Sequence, residues 1–125
     1  MSIVQDATSV PSFTDPNTKE QIQEVFGAKD DTLKSTSIAR IIVPAGGFVK
    51  AHYHPVCEEV YYILRGKGKM TLDGETKDVG PNSVVGISAK VNHSMTVQEE
   101  IEMVVVCSPP WTPECSVFEE YNKDK

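Results

Sequence analysis

The chain has 125 residues, 39% hydrophobic and 24% charged, with twelve basic side chains against 18 acidic ones and a net charge of −6. That length can bury one core without covalent staples, and no apolar run approaches a membrane span. The acidic balance argues against binding a nucleic-acid backbone, which needs a basic face.

Three cysteines, Cys57, Cys107 and Cys115, are too few and odd in number for a disulfide framework. The first residues show no basic start followed by an apolar stretch. Both features lead us to expect free thiols in a reducing cytoplasm.

Residues 1–35 read as an N-terminal arm. Pro11 and Pro16 sit among polar residues and mark a loop. Thr18 followed by Gln21 resembles a capping box, Ile22, Val25 and Phe26 fall on one helical face, and Gly27 is a fitting stop. The pattern predicts a short helix over 18–26 with its apolar stripe against the body.

From Thr36 the pattern is all-β. Expected strands are 37–43, 48–53, 59–65, 69–72, 75–79, 83–87, 94–97 and 101–107, rich in β-branched and aromatic residues. Turn signals separate them: Pro44 to Gly47, Gly66-Lys67-Gly68, the hairpin pair Asp73-Gly74, and Gly80-Pro81-Asn82. Eight short strands without helices between them and without an internal repeat predict one sandwich or jelly-roll barrel over 36–108. The tail, 109–125, carries Pro109-Pro110-Trp111 and is expected to cover one barrel opening.

Side chains two apart on a strand share a face, so His52 and His54 can point to one centre. Glu59, after a short connection, can add a carboxylate, with Glu58 as its competitor. His93 is the one histidine left for a fourth ligand. Imidazoles with one carboxylate suit several first-row metals. Cys57 is a further candidate whose thiolate would favour zinc, although a small apolar role in the connection fits it better.

The stretch resembles the first motif of the cupin superfamily, Gly-x5-His-x-His-x4-Glu-x6-Gly. Gly46, His52, His54, Glu59 and Gly66 stand in register with it. Residues 81–93 are similar to the second motif, ending on His93, with Asn82 and Lys90 where the family usually has glycine and Ser88 where it usually has proline. The resemblance implies a cupin barrel holding one divalent ion (Fe, Mn, Ni or Zn) on His52, His54, Glu59 and His93. The family spacing selects Glu59 over Glu58.

Strand parity extends the site. With His52 and His54 inward, Phe48 and Lys50 should follow; with Glu59 inward, Tyr61 and Ile63; beside His93, Met95 and Val97. This predicts a pocket of Phe48, Ile63 and Met95 with Lys50 and Tyr61 near the metal, suited to a small oxygen-bearing molecule. Ile101, Met103 and Val105 should fill the barrel, leaving Val104 and Val106 outside.

The superfamily hosts many chemistries, so the fold alone does not choose among them. The leading expectation is a non-redox enzyme, an isomerase, lyase or cyclase, in which Tyr61 or Lys50 moves a proton. Alternatives are an iron(II) dioxygenase and a non-catalytic small-molecule-binding domain. The resemblance and the outer valines together imply a homodimer.

Overall fold

A computed structural model describes residues 3–30 and 32–124. The described residues form eight antiparallel strands: β1 (Phe13–Thr14), β2 (Gln21–Phe26), β3 (Ser37–Val43), β4 (Phe48–His52), β5 (Glu58–Leu72), β6 (Glu75–Val79), β7 (Val84–Ile87) and β8 (His93–Ser108). Among the described residues there is no α-helix, only 3₁₀ turns at Ala7–Ser9 and Pro113–Cys115, so no helix is long and apolar enough to cross a membrane.

The hydrogen-bonded order is β1-β2-β3-β8-β5-β6, with β4 on β8 and β7 on β5. Two long strands organise everything. The first half of β8 pairs with β4 and with the second half of β5. Its second half pairs with β3 and with the first half of β5.

Each long strand replaces two expected short ones. The Gly66-Lys67-Gly68 signal does not reverse the chain; it bends β5, with register shifts between Ile63 and Gly68. Gly66 has φ +95°, and a Cβ there would lie 2.0 Å from the Glu100 carbonyl oxygen. The glycine therefore permits close backbone contact at a sheet corner, a use that sequence alone does not separate from a turn. Asp73-Gly74 does close the β5–β6 hairpin, both residues at positive φ (45° and 83°) with Leu72 paired to Glu75.

The helix expected over 18–26 is instead strand β2. Lys19 has φ +70°, outside the right-handed helical region. The Thr18 hydroxyl donates to the Glu20 carboxylate at 2.8 Å rather than capping a helix. Residues 21–26 pair with β3, Ile22 opposite Ile41 and Gln21 opposite Ile42. An unpaired β3 edge offers these residues a full set of backbone partners, and that tertiary gain outweighs a weak local helix signal.

The core lies between the sheet faces. Val43, Ile63, Ile101 and Met103 are fully buried, and Met95, Val97 and Val105 pack with them. Val104 and Val106 are half-buried on the opposite face, as the β8 alternation requires.

Candidate metal centre

β4 delivers the first ligands through an irregular backbone. Val49 pairs with Met95 and His52 with His93, so β4 advances three residues while β8 advances two. The extra residue is a β-bulge at Lys50-Ala51. Val49 is in the core, Phe48 is half-buried opposite exposed Thr96, and Lys50 is exposed. The expectation that Phe48 and Lys50 face the pocket is therefore corrected: the bulge resets the alternation just before His52. The Lys50 ammonium lies 5.5 Å from the Phe118 ring centre on the tail.

Beyond the bulge, alternation resumes. His52 and His54 are buried, while Tyr53 between them forms a bridge with Val117. Glu59 is 5% exposed and Glu58 is exposed, which settles which carboxylate faces inward. β8 begins with His93, which is fully buried.

Asn82 and Lys90, at the two glycine positions of the second motif, have φ of 68° and 72°. They hold the left-handed backbone that glycine would adopt at lower cost. The Lys90 amide donates to the His54 carbonyl at 2.7 Å, so that conformation also braces a ligand-bearing segment.

Ligand atoms of His52, His54, Glu59 and His93 all lie within 4.8 Å of one another. Nδ1 of each histidine is hydrogen-bonded to a backbone carbonyl: His52 to Lys50 at 2.6 Å, His54 to Cys115 at 2.9 Å, His93 to Val91 at 3.0 Å. With Nδ1 donating, Nε2 is left to face the centre, which is how metal-binding imidazoles are commonly oriented.

His93 Nε2 supplies the decisive test of fit. It lies 3.0 Å from Glu59 Oε1, yet the approach is off the line of a hydrogen bond and the atom is buried without a partner. A buried orphan acceptor is costly. A divalent cation drawn to three imidazoles and a carboxylate would satisfy it, so these residues fit a single metal ion.

The electrostatics agree. Burial disfavours charge on Glu59, but the hydrogen bond with His54 and the adjacent His93 ring more than offset it and hold the carboxyl at about 2. Burial, reinforced by His93, pushes His52 down to about 4. Burial also opposes charge on His54, but Glu59, 2.8 Å from its Nε2, raises it to about 9.

Tyr61 and Ile63 continue the inward face of β5, buried at 4% and 0%, and Met95 continues that of β8. The Tyr61 ring meets His93 edge-on at 5.9 Å. Burial first, then the Glu59 charge, pushes its hydroxyl well above the usual tyrosine range. Ile63 and Met95 pack in the core cluster, whereas Phe48 lies outside it.

The tail closes the centre on one side. Tyr53 and Val117 exchange backbone hydrogen bonds at 3.0 and 2.9 Å, and the Phe118 ring sits 5.3 Å from that of His52. Asn92 donates to the Glu119 carbonyl. The contacts of Cys115 and Phe118 with the ligands were not foreseen, because no motif marks residues so far along the chain.

The barrel and its buried cluster of three imidazoles and a carboxylate are consistent with a single metal-binding site. Residues 39–109 match the cupin domain, and the chain belongs to the cupin family. It is 36% identical over 80 residues to an uncharacterized protein of Methanocaldococcus jannaschii, covering 62% of this chain and 64% of that protein, so the chain spans under two thirds of that relative. Its fold is similar to that of KdgF from Halomonas (TM-score 0.79, 14% identity, 91% of this chain and 99% of the other). It is also similar to the nucleoside dehydratase Pac13 of Streptomyces (TM-score 0.79, 13% identity, 99% of this chain and 96% of the other).

Proposed function

We propose that this cupin is a metal-dependent enzyme acting on a small oxygen-bearing organic molecule by non-redox chemistry: isomerisation, elimination or cyclisation. The observation that carries the reading is Tyr61, a buried phenol beside the metal set, 5.9 Å from the His93 ring and kept protonated by burial and by Glu59. A phenol held in its neutral form is suited to donate a proton to a developing oxyanion. A bound divalent ion would supply Lewis acidity, polarising a substrate oxygen.

The chain's own residues do the rest. His52, His54, Glu59 and His93 would hold the ion, the backbone carbonyls of Lys50, Cys115 and Val91 fix the ring orientations, and Ile63 and Met95 keep the surrounding wall apolar. Lys50 is left out of this set because its side chain is exposed. The likeness to Pac13, described as a nucleoside dehydratase, and to KdgF supports the fold alone. A reducing cytoplasm and a homodimer complete the proposal, the first from the free cysteines and the second from the outer sheet face.

The test is turnover of candidate hydroxy acids, keto sugars and nucleosides by metal-loaded protein in an oxygen electrode. Tyr61→Phe should lose roughly 10²–10⁴-fold in kcat, the range of a general acid, while its metal content stays equal to wild type. Stoichiometric oxygen consumption would overturn the non-redox reading and establish the dioxygenase alternative.

A further inference from the structure

Strands β6 and β7 both pair with β5 and, among the described residues, with no other strand. β6 lies along residues 68–72 of β5 and β7 along residues 59–62, on either side of the bend at Gly66. Their outer edges therefore stand apart instead of closing on each other. Between them runs a groove of about 340 Å³, lined in part by Met70, Leu72, Lys77, Val79 and Val85. Met70, Val79 and Val85 belong to the core cluster and Leu72 packs against it, so the floor is apolar. That volume and lining suit a small organic molecule.

The floor adjoins the reacting groups. Leu72 is paired directly with His93, and Val85 directly with Tyr61. Residues so paired turn their side chains to one face, about 5 Å apart. The tail covers the other flank, where the Cys115 carbonyl holds His54 and the Phe118 ring lies 5.3 Å from that of His52. The tail thus lies on the β4 histidines, and the groove runs beside His93 and Tyr61.

One cation belongs to the groove. Lys77 is paired with inward Met70, so it leaves β6 on the inner face. Lys69 and Asp78, its neighbours in the hairpin, face outward and bond each other at 2.8 Å. The Lys77 ammonium has a single ion pair among the described residues, at 3.7 Å to Glu75, and both side chains are 74% exposed. So long and exposed a contact contributes little and yields readily to a better anion.

We infer that the groove between β6 and β7 seats the non-reacting end of an organic acid, and that Lys77 binds its carboxylate and so determines specificity. The inference rests on the proposed reading of the metal set and Tyr61, and names the substrate class for it. The reacting oxygen belongs at the His93 and Tyr61 end. The carbon chain lies on Met70, Leu72 and Val85, and the anionic end reaches the rim at Lys77. The rival role for an inward lysine on a sheet edge is to block edge-to-edge pairing between chains.

The experiment titrates adipate, and as a neutral probe 1,6-hexanediol, into metal-free and zinc-loaded full chain, followed by backbone amide NMR shifts. Adipate should move the amides of Leu72, Lys77 and Val85 saturably, and those of Val117 and Phe118 little. Lys77→Met should weaken adipate by roughly threefold or more, the scale of one partly exposed ion pair, and leave 1,6-hexanediol unchanged. Lys69→Met removes the same charge from the outer face of the same hairpin and should bind adipate as wild type does. Both positions are exposed, so the fold survives either change. Shifts centred on Val117 and Phe118, no saturable shift, or equal losses in the two variants would each overturn the inference. So would a Lys77→Met chain that self-associates while binding adipate normally, which would assign the lysine to guarding the edge. If zinc is not taken up, elemental analysis shows that the metal reading has failed, and the metal-free titration still decides the groove.

Discussion

Strands β4 and β8 pair side by side, and each places a histidine on the candidate metal centre, but under different backbone rules. β8 alternates regularly: His93, Met95 and Val97 face inward, and Thr96 faces out. β4 carries one extra residue, so inward Val49 is followed by inward His52, three positions on. On the regular strand, parity counted from one ligand predicts every other side chain. Across the bulge it predicts the wrong set, and Phe48 and Lys50 were misplaced for this reason. A bulge next to a functional site re-aims the side chains after it, here bringing His52 level with His93 while its Nδ1 is held by the Lys50 carbonyl inside the bulge.

The largest expected effect falls on the ligands that follow the bulge. His52→Ala combined with His54→Ala should abolish binding of about one divalent ion per chain, because two imidazoles are too many to lose from a four-ligand set. The core should persist, since neither residue belongs to the apolar cluster. Full loading of the double variant in elemental analysis would sink the assignment.

The carboxylate gives a sharper comparison within β5. Glu59→Gln should weaken metal affinity by at least about tenfold, while exposed Glu58→Gln should leave it near wild type. Competition with a calibrated chelator reads both constants. The reverse pattern would mean that the β5 register is off by one and that Tyr61 faces out.

The outer face of the same sheet tests regular parity where no bulge intervenes. Val104 and Val106 pair with Tyr62 and Val60, which are 41% and 40% exposed, and Leu64 and Val84 are exposed at 46% and 57%. β2 extends the sheet beside β3 and does not lie over these valines. A second copy of the chain would bury them, each valine contributing about 1.5–3 kcal/mol at most. Val104→Lys with Val106→Lys should give monomers that keep the metal. Sedimentation of the unmodified protein decides the premise: a monomer at micromolar concentration ends the homodimer proposal.

The smallest effect tests the bulge itself. Val49→Ala should cost about 2 kcal/mol of unfolding free energy through lost burial and a residual cavity. Lys50→Ala should change stability by less than ~0.5 kcal/mol, as expected for an exposed position. Denaturant titration of the two variants measures the difference. Equal costs would restore the uninterrupted parity that the structure replaces.

Much of this protein was legible from residue order. The barrel, the convergence of His52, His54, Glu59 and His93, the Asp73-Gly74 hairpin and the inward faces of β5 and β8 each rest on local period or fixed spacing, which short-range sterics enforce. Even the missing glycines proved informative, since Asn82 and Lys90 adopt the left-handed backbone those positions require. Tertiary structure decided the rest, because each decision depended on a partner distant in the chain. Residues 21–26 became a strand because the β3 edge was open to them, Gly66 became a bend because Glu100 lies against it, and β4 bulged where His52 had to meet His93. The tail acquired its role because folding carried Cys115 and Phe118 onto His54 and His52. Local pattern fixes which way a regular strand turns its side chains; long-range pairing alone determines where that regularity stops.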